Sequence, residues 1–181
     1  MGLGAAALLF AWGFAEATVF FIVADAAVGW IALRRGAKAG LRAAFVAAAG
    51  AVLGIALLYG WAARDPQAAL SLVDAVPFVT PELIEGMRAG LAADGAEAVL
   101  AAGATGVPIK IAAALAPASG IGIAAFLSLG FAQRLARFSA VALLAAGIAR
   151  LLPDRWTAGM RLALWTGFWI LFYAVYWTML L

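Results

Sequence analysis

Phe14–Asp25 reads FAEATVFFIVAD. Two carboxylates, Glu16 and Asp25, stand inside an apolar stretch that runs from Leu3 to Leu33 and holds only one other polar side chain, Thr18. As one helix, 3–33 would be ~46 Å long at ~1.5 Å per residue, too long for a hydrocarbon core ~30 Å thick. On such a helix Glu16 and Asp25 would also face opposite ways, ~13 Å apart along the axis. An isolated acid in lipid costs about 2.5–3.5 kcal/mol, so a charged group there is paired, protonated or functional. For both acids to face a single polar cavity, the helix must break between them. We therefore read 3–33 as a helical hairpin that enters the membrane from one side and returns, with FAEATVFFIVAD as its tip and returning arm.

The rest of the composition supports a membrane setting. Of 181 residues, 67% are hydrophobic and 12% charged, and the mean hydropathy is +1.07. Soluble domains are nearer ~45–50% apolar and ~25% charged. The net charge is only +3, so the pI of 9.8 is no nucleic-acid signal. The absence of Cys and His removes thiol chemistry, Ser-His or Cys-His nucleophile pairs and the commonest metal ligand. The sequence implies no cofactor and no metal site, and we expect no enzyme. The Met-Gly-Leu-Gly start lacks the basic region of a signal peptide.

Working outward, 43–62 (AAFVAAAGAVLGIALLYGWA) has the length of one transmembrane span. Its Gly50 and Gly54 form a small-xxx-small pair that admits a neighbouring helix. Residues 63–97 form a polar segment with six of the nine acids. Asp65-Pro66 and Thr80-Pro81 are helix starts with proline at the first helical position. Leu83, Ile84, Met87 and Leu91 make one apolar stripe at helical spacing, and Asp94-Gly95 ends it. The segment reads as short amphipathic helices on the membrane surface or the spans, or else as a solvated connector. Residues 162–181 form a last span rich in Trp and Tyr.

Loop charge sets orientation. Arg34, Arg35, Lys38 and Arg42 fall in the loop at 34–42, and Arg150, Arg155 and Arg161 in the loop at 150–161. Both belong in the cytoplasm by the positive-inside rule, with acidic 63–97 outside. The apolar region 98–149 must then make one net inward crossing, although it is long enough for two. Its first half, 98–122, must therefore dip in from outside and return, leaving 123–149 as the span. Gly106 and Pro108 in GATGVPIK (103–110), and the second Pro-Gly cluster in PASGIGI (117–123), break the helix there. Such breaks at membrane depth are tolerated only when buried in protein or lining a watery cavity. The expected architecture is an all-α integral membrane protein, one domain over 1–181. Two opposed re-entrant hairpins are each followed by a transmembrane helix in an inverted repeat, and a C-terminal span follows. Inverted repeats place the substrate site near the bilayer midplane.

The partners for the acids are Arg134 and Arg137 in FAQRLARF (131–138), which share a helix face at i, i+3. Lys110 is a third basic candidate. Glu16 and Asp25 are candidates for carrying protons. Arg134, Arg137 and Lys110 are candidates for binding phosphate, for which guanidinium is suited. A buried salt-bridge cluster that only fixes hairpin packing is the structural alternative.

The run WGFAEATVFFIVAD, a Gly-rich span ending LLYG, then TGVPIK and F…R..RF resembles the DedA superfamily (VTT domain) over about residues 10–150. It is most similar to the small YqaA-like branch. That resemblance implies a multi-pass protein of the bacterial inner membrane with two opposed re-entrant hairpins. It implies a flippase or scramblase for lipids or lipid-linked phosphates, with proton coupling proposed for the family. Glu16 and Asp25 match the two acids of the first hairpin, Arg134 and Arg137 the basic pair, and Pro108 the proline of the second hairpin. Ala24 stands where relatives often have proline, and Lys110 is the only base near Pro108, where larger relatives carry arginines. The partners implied are membrane lipids with an anionic or phosphate head group, protons and further copies of the chain, not nucleic acid. An ion or small-solute transporter and a non-transport membrane assembly protein are the alternatives.

Overall fold

The computed structural model describes residues 1–153 and 155–180, with the side chains of 177, 179 and 180 outside that description. The described residues are all helix, turn or irregular, with no strand among them. The helices are α1 (Leu3–Glu16), α2 (Asp25–Arg35), α3 (Ala37–Ala62), α4 (Pro66–Asp74), α5 (Pro81–Asp94), α6 (Ala98–Thr105), α7 (Ile109–Leu115), α8 (Ile123–Leu151) and α9 (Ala158–Leu180). Three of them, α3, α8 and α9, are long and apolar enough to cross a membrane.

The break in the first apolar run falls between the two acids. Glu16 is the last residue of α1 and Asp25 the first of α2. The intervening ATVFFIVA is dominated by β-branched and aromatic side chains, which lose rotamer freedom in a helix. Ala24 leads into α2 at φ −66°, the value a proline ring imposes, so α2 starts here without proline. The helices on either side of the break are thus 3–16 and 25–35.

The basic stretch after α2 is shorter than expected. Gly36 alone makes the reversal, at φ +81°, a value open to glycine. Helix α3 then starts at Ala37, so Lys38 and Arg42 lie on its first turns and not in a loop at 34–42. Hydropathy marks where apolar side chains begin, whereas a helix continues through lysine and arginine at little cost.

Helices α3 and α8 run antiparallel at the centre. Gly40 faces Ala142, and Gly130 faces Ile55. Helix α1 lies along α3 in the same direction, with Gly50 against the Phe10 backbone and Gly54 against Phe14. A Cβ on Gly50 would collide with the Phe10 carbonyl oxygen, and one on Gly54 would stand 2.8 Å from that of Phe14. The small-xxx-small pair is therefore the seat of α1. Helix α2 packs on α3 and α8, and α7 on α3.

The polar segment 63–97 is not a solvated connector. Asp65 and Thr80 cap α4 and α5 by accepting hydrogen bonds from the backbone N–H groups of Ala68 and Leu83. From the expected stripe, Ile84, Met87 and Leu91 are buried, against α6 and α7. The second break has the expected residues. Gly106 closes α6 in the left-handed region, and Pro108 leads into α7. Helix α9 starts at Ala158, four residues before the expected 162. Leu181, the last residue of that expected span, lies outside the described residues.

The buried apolar residues form two cores. One holds Ala51, Ile55 and Leu58 of α3 with α4–α7 and Phe126. The other holds Ala43, Ala44, Ala47 and Ala48 of α3 with Leu9, Val28, Phe138 and Ala142. The seam passes between 48 and 51 on α3 and between 126 and 138 on α8. The buried charges lie there.

Candidate functional site

The site is built where the two broken segments meet the middle of α8. Arg134 is eleven residues into α8, or ~17 Å along a helix at ~1.5 Å per residue. Its Nη1 lies 3.0 Å from Glu16 Oε1. One turn on, Arg137 donates from Nε (3.1 Å) and Nη2 (2.9 Å) to Asp25 Oδ2. The α1–α2 break thus presents its two acids to two arginines at i, i+3. Arg134 also stacks over Phe138 at 5.9 Å.

The two pairs differ in exposure. Glu16, Asp25 and Arg134 are buried, whereas the Arg137 side chain is 28% exposed. Each acid pairs with its own arginine, because two guanidinium groups one helical turn apart offer each carboxylate a separate partner. The pairing leaves polar atoms over. Glu16 Oε2, Asp25 Oδ1, Arg134 Nε and both amide atoms of Gln133 are buried without a hydrogen-bond partner, and Arg134 Nη1 meets Glu16 as an ion pair without hydrogen-bond geometry. A buried polar atom without a partner costs about 1–3 kcal/mol, more when charged.

The irregular backbone between the acids is satisfied by side chains from several elements. Trp12 Nε1 on α1 donates to the Ile22 carbonyl at 2.9 Å. Lys110 Nζ on α7 donates to the Phe20 carbonyl at 2.8 Å. The Tyr173 hydroxyl on α9 accepts from Val23 N–H at 2.9 Å and donates to the Phe21 carbonyl at 3.4 Å. Trp165 Nε1, also on α9, donates to the Ala26 carbonyl at 2.8 Å. Side chains of α1, α7 and α9 thus pair backbone groups of the break, in which Ala17 and Ala24 are buried and Val19 is exposed.

Glu16, Asp25, Arg134, Arg137 and Lys110 therefore all converge on residues 16–25 or their flanks. Lys110 reaches a backbone carbonyl, where a carboxylate had been the natural expectation for a base. Gly106 and Pro108 take no direct part. They end α6 and start α7, and so deliver Lys110 to Phe20. Four residues of the site were missed in the sequence: Trp12, Gln133, Trp165 and Tyr173. Gln133 had a signal, as a lone amide beside Arg134 in an apolar span. The aromatics had none, being three among many in the apolar runs. Among the described residues no three acids gather to hold a metal ion.

Fold and site together define a helical membrane protein with a layer of paired charges across its middle. No family model, curated protein or solved structure matches the chain.

Proposed function

We propose that this protein moves lipids or lipid-linked phosphates across the bacterial inner membrane, as a flippase or scramblase, without catalysing a reaction. The observation that carries the reading is the two Arg–carboxylate contacts at the seam, with both acids buried and each keeping one oxygen without a hydrogen bond. Stability alone is a poor reason for them, since well-packed apolar residues often do as well as a buried ion pair. A phosphate head group is an alternative partner for the same guanidinium fork. In this reading an arriving phosphate displaces Glu16 from Arg134 or Asp25 from Arg137, and the released acid takes up a proton. Departure of the head group restores the pairs. The DedA likeness gives the same direction.

The arrangement also fits an inverted repeat. The series α1–break–α2–α3 is matched by α6–break–α7–α8, and α3 and α8 run antiparallel. In our reading both broken pairs are re-entrant, and Lys110 joins their tips.

The test is reconstitution in vesicles with fluorescent phosphatidic acid, a polyprenyl phosphate and phosphatidylcholine. We expect transbilayer movement of the phosphate lipids and a loss of at least ~10-fold in a Glu16→Gln/Arg134→Met variant that stays folded. Equal movement by wild type and variant would overturn the assignment. Proton or ion flux without lipid movement would replace it with a small-solute transporter.

A further inference from the structure

Helix α9 does not seal against the body. It is pinned to the α1–α2 break at Trp165 and Tyr173, and between these pins and the break lies an apolar cleft of about 400 Å³. The volume is in the range of small-molecule sites, ~300–1,000 Å³. Phe21, Ile22 and Ala26 form one wall, and Trp169, Ile170 and Tyr173 the other. Ile170 is 66% exposed, so the cleft opens on the outer surface of a helix long and apolar enough to span. At that depth the surrounding solvent is lipid chains.

The lining is apolar, but its inner end adjoins the ion pairs. The Tyr173 hydroxyl accepts from Val23 N–H, two residues before Asp25, and Ala26 directly follows Asp25, which binds Arg137 at 2.9 Å. Arg137 is the most exposed member of the two ion pairs. An apolar slot open to the bilayer thus ends beside the one guanidinium of the layer that a head group can approach without unpacking the core.

We propose that this cleft holds one hydrocarbon chain of a phosphate lipid whose head group is received at Arg137, with Tyr173 at the junction of head and chain. This rests on the lipid-transport reading and specifies its substrate: a phosphate lipid recognised by chain as well as head. Helix α9 is then part of the binding site, although it lies outside both broken-helix units.

The test uses phosphatidic acid and phosphatidylcholine, each with a diazirine near the end of one chain, in vesicles containing the full chain. After irradiation, adducts are mapped by mass spectrometry. Phosphatidic acid should label Trp169 and Ile170 several-fold more than Leu164, an exposed residue of α9 outside the cleft. That preference should vanish with phosphatidylcholine, with Arg137→Gln, and with Ile170→Trp, an exposed substitution that fills the mouth of the cleft. Equal labelling of the cleft and Leu164 by both lipids would overturn the proposal, as would crosslinks between copies of the chain at Ile170 in place of lipid adducts. Flipping without cleft preference removes this inference alone. Cleft labelling without flipping removes the transport reading and leaves the site.

Discussion

The Glu16–Arg134 pair gives the sharpest test of how the charged layer is held. The contact is 3.0 Å, with side-chain exposures of 7% and 2%. Removing one partner of a buried pair costs about 3–5 kcal/mol, whereas replacing both with apolar groups is often neutral. Reversible unfolding in mixed micelles reads these values. We expect Glu16→Gln and Arg134→Met each to lose about 3 kcal/mol, the lower end applying because separated helices in a micelle still find partners. The double variant should unfold within ~1 kcal/mol of wild type, a coupling of ~5 kcal/mol. Additive losses in the double variant, within ~0.5 kcal/mol, would refute the reasoning.

Gly50→Ala should lift α1 from α3 and cost ~1–3 kcal/mol by overpacking. Gly60→Ala, where a Cβ meets nothing within 4 Å, should leave the same micelle unfolding curve in place. Lys110→Met should leave the Phe20 carbonyl unpaired and raise amide hydrogen exchange across 17–24 while sparing α3; unchanged exchange would show that Lys110 does not hold the break. Outside the three span-length helices, the Glu82 carboxyl is held below the usual glutamate range by its own backbone N–H and then by the Thr80 hydroxyl. A depressed carboxyl favours the fold above its unfolded value and loses that contribution as pH falls through the folded one. Thr80→Ala should therefore move the Glu82 NMR titration upward and weaken the α5 cap by ~0.5–2 kcal/mol.

Much of this was legible in the chain, because it rests on local rules. The length of 3–33 and the nine-residue spacing of Glu16 and Asp25 required a break, and α1 ends at Glu16. Asp65-Pro66 and Thr80-Pro81 start helices because capping needs only the residue and its next turn. Gly106 and Pro108 interrupt the second apolar run for equally local reasons. Arg134 and Arg137 were readable as partners because a charge in a span requires one.

The sequence by itself determined which segments are apolar, where the helices break and that the buried acids must meet bases. Hydropathy and backbone preference are properties of neighbouring residues, and so they are written locally. Only the tertiary structure decided that Glu16 takes Arg134 and Asp25 takes Arg137, and that Lys110 donates to the Phe20 carbonyl. It also decided that Trp12 and Tyr173 pair backbone groups of the break and that Trp165 reaches the Ala26 carbonyl on α2. Those partners lie up to 152 residues away. A backbone carbonyl carries no mark in the sequence of which distant side chain will reach it.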